Sequence, residues 1–208
     1  MIGPELTVQL VAMRLLAGVL IAVVHGSAVA YAAVMLGDQG PRHDGRTQVL
    51  SGRHVSLPGL GALMLTGFGW AAPVAIDGDR LRGGRLALVL PPLAGSAALL
   101  LLGFTLLLFA GPALRSLDVT SGVAIAAFVR VAGRLCVWIA LFSLVPVPPL
   151  AGAHLLEALG LRLPAWTSAV MAVALTLASL AGITASILTP AYRVIAPLVL
   201  GGAVALTD

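Results

Sequence analysis

Histidine carries most of the chemistry this chain could do. His25 stands alone in a long apolar run, His54 closes a polar stretch, and His154 follows a proline-rich segment. A neutral imidazole is a metal ligand and an acid–base group near neutral pH. Three of them could hold zinc, copper, or a haem or chlorin if the fold brought them together. No ligand spacing supports that: none of the three has a second histidine at i+4 with a glutamate between, the pattern that faces two donors and a base toward one ion. The structural alternative for His25 is a buried ring hydrogen-bonded to a neighbouring helix, since polar groups inside a bundle need partners. His54 and His154 read equally as interfacial, solvated groups. Arg130 and Arg134, at i and i+4, share one helix face. They are either snorkelling cations at an interface or groups that meet a partner at membrane depth. A single cysteine, Cys136, excludes a disulfide framework and a cysteine-rich metal site.

The elements that must position these groups are set by composition. Of 208 residues, 60% are hydrophobic and 10% charged, and mean hydropathy is +1.07. A soluble fold of this size cannot hide so much apolar surface. The sequence therefore describes an integral membrane protein, and a soluble enzyme or nucleic-acid-binding module is excluded. The basic balance, twelve Arg and no Lys against eight acids, is scattered along the chain. It reads as membrane orientation rather than nucleic-acid binding.

A span takes about 20 apolar residues. Residues 15–37, 86–114, 135–156 and 163–192 qualify between charges, and 190–206 could reach across around Arg193. Residues 54–76 are free of full charge but carry Pro58, Gly59, Gly61, Gly67, Gly69 and Pro73. Such a segment is broken or re-entrant, which lipid tolerates only where protein covers its backbone. If it spans, the arginines of 38–53 and 77–85 divide equally between the two faces. If it re-enters, they share one face. Residues 15–37 stay apolar past the length of a leader's core, and Glu5 spoils the n-region, so they read as a span and not a cleaved leader. The expectation is an all-α bundle of five to six spans. Trp70, Trp138 and Trp166 are expected as interfacial anchors, and Asp118 and Glu157 as loop or interface residues.

Three patches then matter together. The first is Val24-His25-Gly26-Ser27-Ala28-Val29-Ala30, followed by Leu36-Gly37-Asp38. The second runs from Gly45-Arg46 through His54-Val55 to Gly67-Phe68-Gly69-Trp70 and Pro73-Val74. The third is Phe142-Ser143-Leu144-Val145-Pro146-Val147-Pro148-Pro149-Leu150-Ala151-Gly152. In order and spacing they resemble the site-2-protease family of intramembrane zinc metallopeptidases, in its compact branch without a PDZ domain. The resemblance covers about residues 15–160. It implies a three-helix core near 8–36, 86–110 and 123–147, with further C-terminal helices near 165–188 and 191–206. The domain reading is a membrane core over 1–160 and C-terminal helices over 161–208.

The departures from that family decide the chemistry. The resemblance puts His25 at the first ligand position, Gly26 where the family has its glutamate base, Val29 at the second histidine, and Ala151 at the aspartate ligand. Ser143 and Gly95 stand where the family has asparagines. A catalytic zinc keeps three protein ligands and an open position, and one of three remains. The expectation is a degenerate, non-catalytic member of the family, without a catalytic residue, resident metal or cofactor, in the bacterial cytoplasmic membrane. It would bind another integral membrane protein, within a larger complex, through the former substrate groove. The expected contact residues are Gly67, Phe68, Gly69, Trp70, Arg130 and Arg134. Two rivals stay open: a metallopeptidase with a rebuilt site such as His25, His54 and His154, and a cofactor- or pigment-binding subunit of a bioenergetic complex. Lipid is an expected partner and nucleic acid is not.

Overall fold

The computed structural model describes residues 7–49 and 51–201, the Ala113 side chain excepted. Among the described residues every regular element is a helix, and there is no strand. The first helix, α1 (Val8–Leu36), starts at Thr7, whose hydroxyl accepts from the Leu10 N–H. It stops at Gly37 (φ 120°), and the Asp38 N–H returns to the Ala33 carbonyl. A short turn, α2 (Gly40–His43), follows. Next comes α3 (Leu57–Thr66), capped by Ser56 and ended by Gly67 in the left-handed region. Beyond it lie α4 (Leu90–Ser116) and α5 (Val119–Ser143), the latter capped by Asp118. The small α6 (Ala153–Ala158) leads to α7 (Trp166–Leu180) and α8 (Ile183–Leu200).

Among the described residues, four helical segments are long and apolar enough to cross a membrane: α1, the stretch Gly84–Ser116 that contains α4, α5 and α8. Two shorter apolar helices, α3 and α7, complete the bundle. With 10 residues, α3 reaches about 15 Å, half of a hydrocarbon core. It is one leg of a re-entrant hairpin. Leu60 and Leu63 lie against Gly18 of α1, and Arg14 donates to the Met64 carbonyl at 3.0 Å. The chain turns at Gly67 and comes back without a helix, until the Asp77 N–H meets the Asp38 carboxylate at 2.8 Å. Along α1, Arg14 and Asp38 are ~36 Å apart at 1.5 Å per residue. Residues 67–77 cover that only near full stretch, at ~3.3–3.6 Å each. The two arginine-bearing loops therefore share one end of the bundle, where the Arg82 N–H also bonds the Leu36 carbonyl.

The C-terminal pair breaks at a different place from the sequence expectation. The boundary is Gly182 (φ 76°), not Pro190, which sits inside α8. Glycine takes the left-handed turn without a Cβ penalty, whereas proline in a packed membrane helix is tolerated. Residues 202–206 of the expected last helix, like Glu5, lie outside the described residues.

Small residues dominate the central contact of α1, α4 and α5: Ala17, Ala132, Cys136 and Ala140 are all essentially buried. A Cβ on Gly103 would stand 3.3 Å from the Gly133 carbonyl, so α4 and α5 approach backbone to backbone. In lipid such van der Waals packing, rather than hydrophobic burial, holds helices together. A second cluster corrects the placing of two tryptophans. Trp70 is 9% exposed and belongs to the core. Trp138 stacks on Tyr192 of α8 at 4.1 Å and receives Phe68 edge-on at 5.4 Å. Only Trp166 is exposed as an anchor would be. The aromatic rings find ring partners inside the bundle, and that outweighs their preference for the interface. Ala172 and Leu175 of α7 and Ala185 and Leu188 of α8 close over this cluster.

Candidate functional site

The middle of α1 carries His25, Gly26 and Val29 on faces that meet three other elements. The His25 ring is buried, and its Nε2 has no hydrogen-bond partner. The hydrogen bond expected from a neighbouring helix is absent because the neighbour is Gly95 of α4, which offers no side chain. A Cβ built there would lie 2.8 Å from His25 Nε2 and 2.7 Å from Val29 Cγ2. Gly26 faces His54, and a Cβ at 26 would come within 2.6 Å of His54 Nδ1. His54 is fully buried, with Nε2 3.2 Å from the Ser27 hydroxyl and 3.3 Å from the Gln48 carbonyl. It is a structural plug between loop and helix, not a solvated interfacial group.

Val29, Ala30 and Val74 form an apolar cluster against which Ala151 packs. The fold thus brings positions 25, 29 and 151 into one neighbourhood, and two of the three present only hydrocarbon. Ser143 is equally committed. Its hydroxyl, the Ser96 hydroxyl and the Ala140 carbonyl form a closed triangle with all three edges 3.0 Å. No donor remains there to receive a developing oxyanion.

Beside these residues lies a cavity of about 400 Å³, walled by α1, α3, the return leg 69–76 and the loop 148–154. His154 and Glu157 stand at its edge. His154 Nδ1 is 3.1 Å from Glu157 Oε2, and its Nε2 is 3.0 Å from the Val74 carbonyl. The hydrogen bond from His154 holds the Glu157 carboxyl below the usual range, against its partial burial and with help from Arg162. Both ring nitrogens of His154 are therefore occupied in tying α6 to the return leg. His25, His54 and His154 do not assemble into a ligand set, and no group of three or more His, Cys, Asp or Glu is placed to hold a metal among the described residues.

The expected contact residues divide. Gly69 and Trp70 help wall the cavity. Phe68 is turned into the aromatic cluster, edge-on to Phe142 at 5.5 Å. Gly69 is packed inside the hairpin, where a Cβ would stand 2.2 Å from the Gly59 carbonyl. The stretch 67–70 is therefore mostly core, because its glycines let the two legs of the hairpin touch. Arg130 is exposed and Arg134 half-buried, and neither lines the cavity, which takes Ile139 and Ser143 from that helix.

Residues to which the sequence reading gave no role, Asp38 and Arg46 of the quoted patches among them, hold the walls. Asp38 is 2% exposed and accepts from the Gly40 and Asp77 N–H groups at 2.9 and 2.8 Å. Arg46 donates to the Ala72 carbonyl at 3.1 Å, and Arg14 closes the end of α3. An aspartate directly after a helix-ending glycine was a readable signal for the first. The arginines gave none, since their acceptors are carbonyls distant in sequence.

No family model and no solved structure matches the chain. Over 136 residues it is 30% identical to "Putative zinc metalloprotease YwhC" of Bacillus subtilis (strain 168). The aligned part is 64% of this chain and 62% of that protein, so the chain spans less than two thirds of the relative it matches. The chain is a helical membrane protein with distant similarity to a protein bearing a zinc metalloprotease name.

Proposed function

We propose that the chain is a non-catalytic, site-2-protease-like protein of the bacterial cytoplasmic membrane that holds a segment of another integral membrane protein in the cavity beside His25. The zinc implied by the relative's name does not fit the residues present. Positions 25, 29 and 151 supply one imidazole and two hydrocarbon groups, whereas a catalytic zinc takes three protein donors. The position of the base is a glycine, filled against His54.

One observation carries the reading. An apolar cavity of about 400 Å³ persists where the donors are gone, with walls tied by Asp38, Arg46 and His154. Walls held that firmly around a site without donors fit binding rather than bond cleavage. The test is photo-crosslinking from an unnatural residue at Ile139, with the same residue at Arg130 as control, followed by mild-detergent purification from the native membrane. A discrete membrane-protein adduct from position 139 and not 130 is expected. An adduct from 130 alone moves the interface off the cavity. Cleavage of a co-expressed transmembrane substrate, abolished by His25→Ala, would refute the non-catalytic reading.

A further inference from the structure

One charged group of the last spanning helix has no partner. In α8, Tyr192, Ala196 and Leu200 recur every four positions, are buried, and pack with Val137 of α5. They form its inward stripe. Arg193 stands ~100° around the helix from Tyr192 and is exposed. No hydrogen bond or ion pair reaches it among the described residues. Its neighbours fix its depth. Tyr192 stacks on Trp138 of α5. Val199 reaches α4 at Gly103, the middle residue of Leu90–Ser116, where a Cβ would stand 3.6 Å from Val199 Cγ1. At 1.5 Å per residue, Arg193 lies ~9 Å from that midpoint, and ~10 Å and ~15 Å from the two ends of its own helix. That is membrane interior, where an arginine is costly and takes a partner.

The same side of α8 carries two more unmet groups. Ser186, Pro190, Arg193 and Pro197 are spaced four, three and four apart, the spacing of one helical face. Both prolines lie inside the helix and have no N–H. The Ser186 carbonyl therefore receives no bond from position 190, and the Arg193 carbonyl none from position 197. Membrane helices tolerate proline where neighbouring helices, hydroxyls or local adjustments satisfy the freed carbonyls. The nearby Ser186 hydroxyl is turned back to the Ile183 carbonyl at 2.8 Å. Ser186, Pro190 and Arg193 are all exposed, so no helix of this chain covers them among the described residues.

We infer that this face of α8 is a second docking surface, which receives a transmembrane helix of another protein carrying a carboxylate at the depth of Arg193. The carboxylate pairs with the guanidinium, and hydroxyl or amide donors beside it meet the freed carbonyls. Charge-assisted bonds are the strong ones, and interhelical hydrogen bonds help hold helices together in lipid. A second copy of this chain does not offer that carboxylate, because Asp38, Asp44, Asp77, Asp79, Asp118 and Glu157 all lie outside the four spanning segments. The cavity takes no residue from α8, so this surface goes beyond the proposed function and does not depend on it.

The test places a photo-crosslinking residue at Ser186 of the full chain in its native membrane. The control is the same residue at Ala191, exposed and nearly opposite Arg193 on the helix. One membrane-protein adduct is expected from position 186 and none from 191. It should persist with Arg193→Lys and fall about tenfold or more with Arg193→Gln, the loss of one charge-assisted contact. The captured protein should carry an Asp or Glu within a span, and its amide replacement should remove the adduct likewise. No adduct, an adduct indifferent to Arg193→Gln, a second copy of this chain, or a captured protein without an intramembrane carboxylate would each overturn the inference. A lipid adduct alone would overturn it too, making Arg193 a snorkelling phosphate ligand. Arg193→Gln should leave the thermal midpoint in detergent unchanged. A lowered midpoint would place the partner of Arg193 within this chain and end the inference.

Discussion

Asp38 offers the sharpest test of how the walls are held. Its carboxylate is 2% exposed and accepts two backbone N–H groups, from Gly40 at 2.9 Å and from Asp77 at 2.8 Å. The first bond fixes the chain as it leaves α1, and the second anchors the far end of the return leg. Asp38→Ala removes both acceptors and leaves a small void. Hydrogen bonds to a charged group contribute about 1.5–3 kcal/mol each. The Asp77 residue is itself exposed, so water can replace part of its bond. A loss of about 3 kcal/mol is expected, a factor of roughly 100 in the ratio of folded to unfolded protein. Asp38→Asn keeps one acceptor and turns an N–H toward the other donor, and should lie between the two. Detergent-state unfolding gives the stability, and hydrogen exchange at the Gly40 and Asp77 amides gives the location. Both amides should lose protection together. An Asp38→Ala protein within about 0.5 kcal/mol of native, the range of an ordinary surface change, would show that the hairpin is anchored some other way.

Native protein should contain no stoichiometric zinc by elemental analysis after desalting, because the converging positions offer one donor; a full equivalent lost with His25→Ala would contradict this. Gly69→Ala should destabilise by about 1–3 kcal/mol, the cost of overpacking, since its Cβ would collide with the Gly59 carbonyl; an unchanged melt would mean that the hairpin legs are not in contact. The Glu157 carboxyl is held low in the folded state by His154, so its contribution is complete above the unfolded glutamate value of about 4.3 and fades as pH falls through the lower folded value. The acid limb of the thermal midpoint against pH should therefore flatten in Glu157→Gln, and an identical limb would refute the pairing of His154 with Glu157 within α6.

Much of the architecture was legible because it depends on composition and on caps. The run from residue 8 to 36 ends where Gly37 permits a positive φ, and the glycines and prolines of 54–76 do mark a re-entrant element. Trp70 and Trp138 were misread because an interface and a buried aromatic cluster draw on the same residue type; only Phe68, Phe142 and Tyr192 around them decide which. The glycine-rich stretch was expected to contact a partner in the groove, and Gly69 and Trp70 do wall the cavity; what glycine does not announce is that Gly69 also packs on Gly59 of the same hairpin. The division of α7 from α8 depended on backbone freedom at Gly182, which hydropathy does not register. The donor positions were readable one by one. Their convergence around Val29, Val74 and Ala151 is long-range and required the folded chain.

The re-entrant hairpin also has a consequence for how the protein is made. Its return leg crosses membrane depth without a helix, so lipid cannot host it until other protein covers it. The side chains that cover Phe68 and Trp70 are Trp138 and Phe142, then residues of α7 and α8, all synthesised after the hairpin itself. The segment thus leaves the ribosome well before its neighbours exist. Its place in the bilayer is settled late, when α5 arrives, and a chain truncated before residue 138 would expose an unfinished insertion to the cell's quality control.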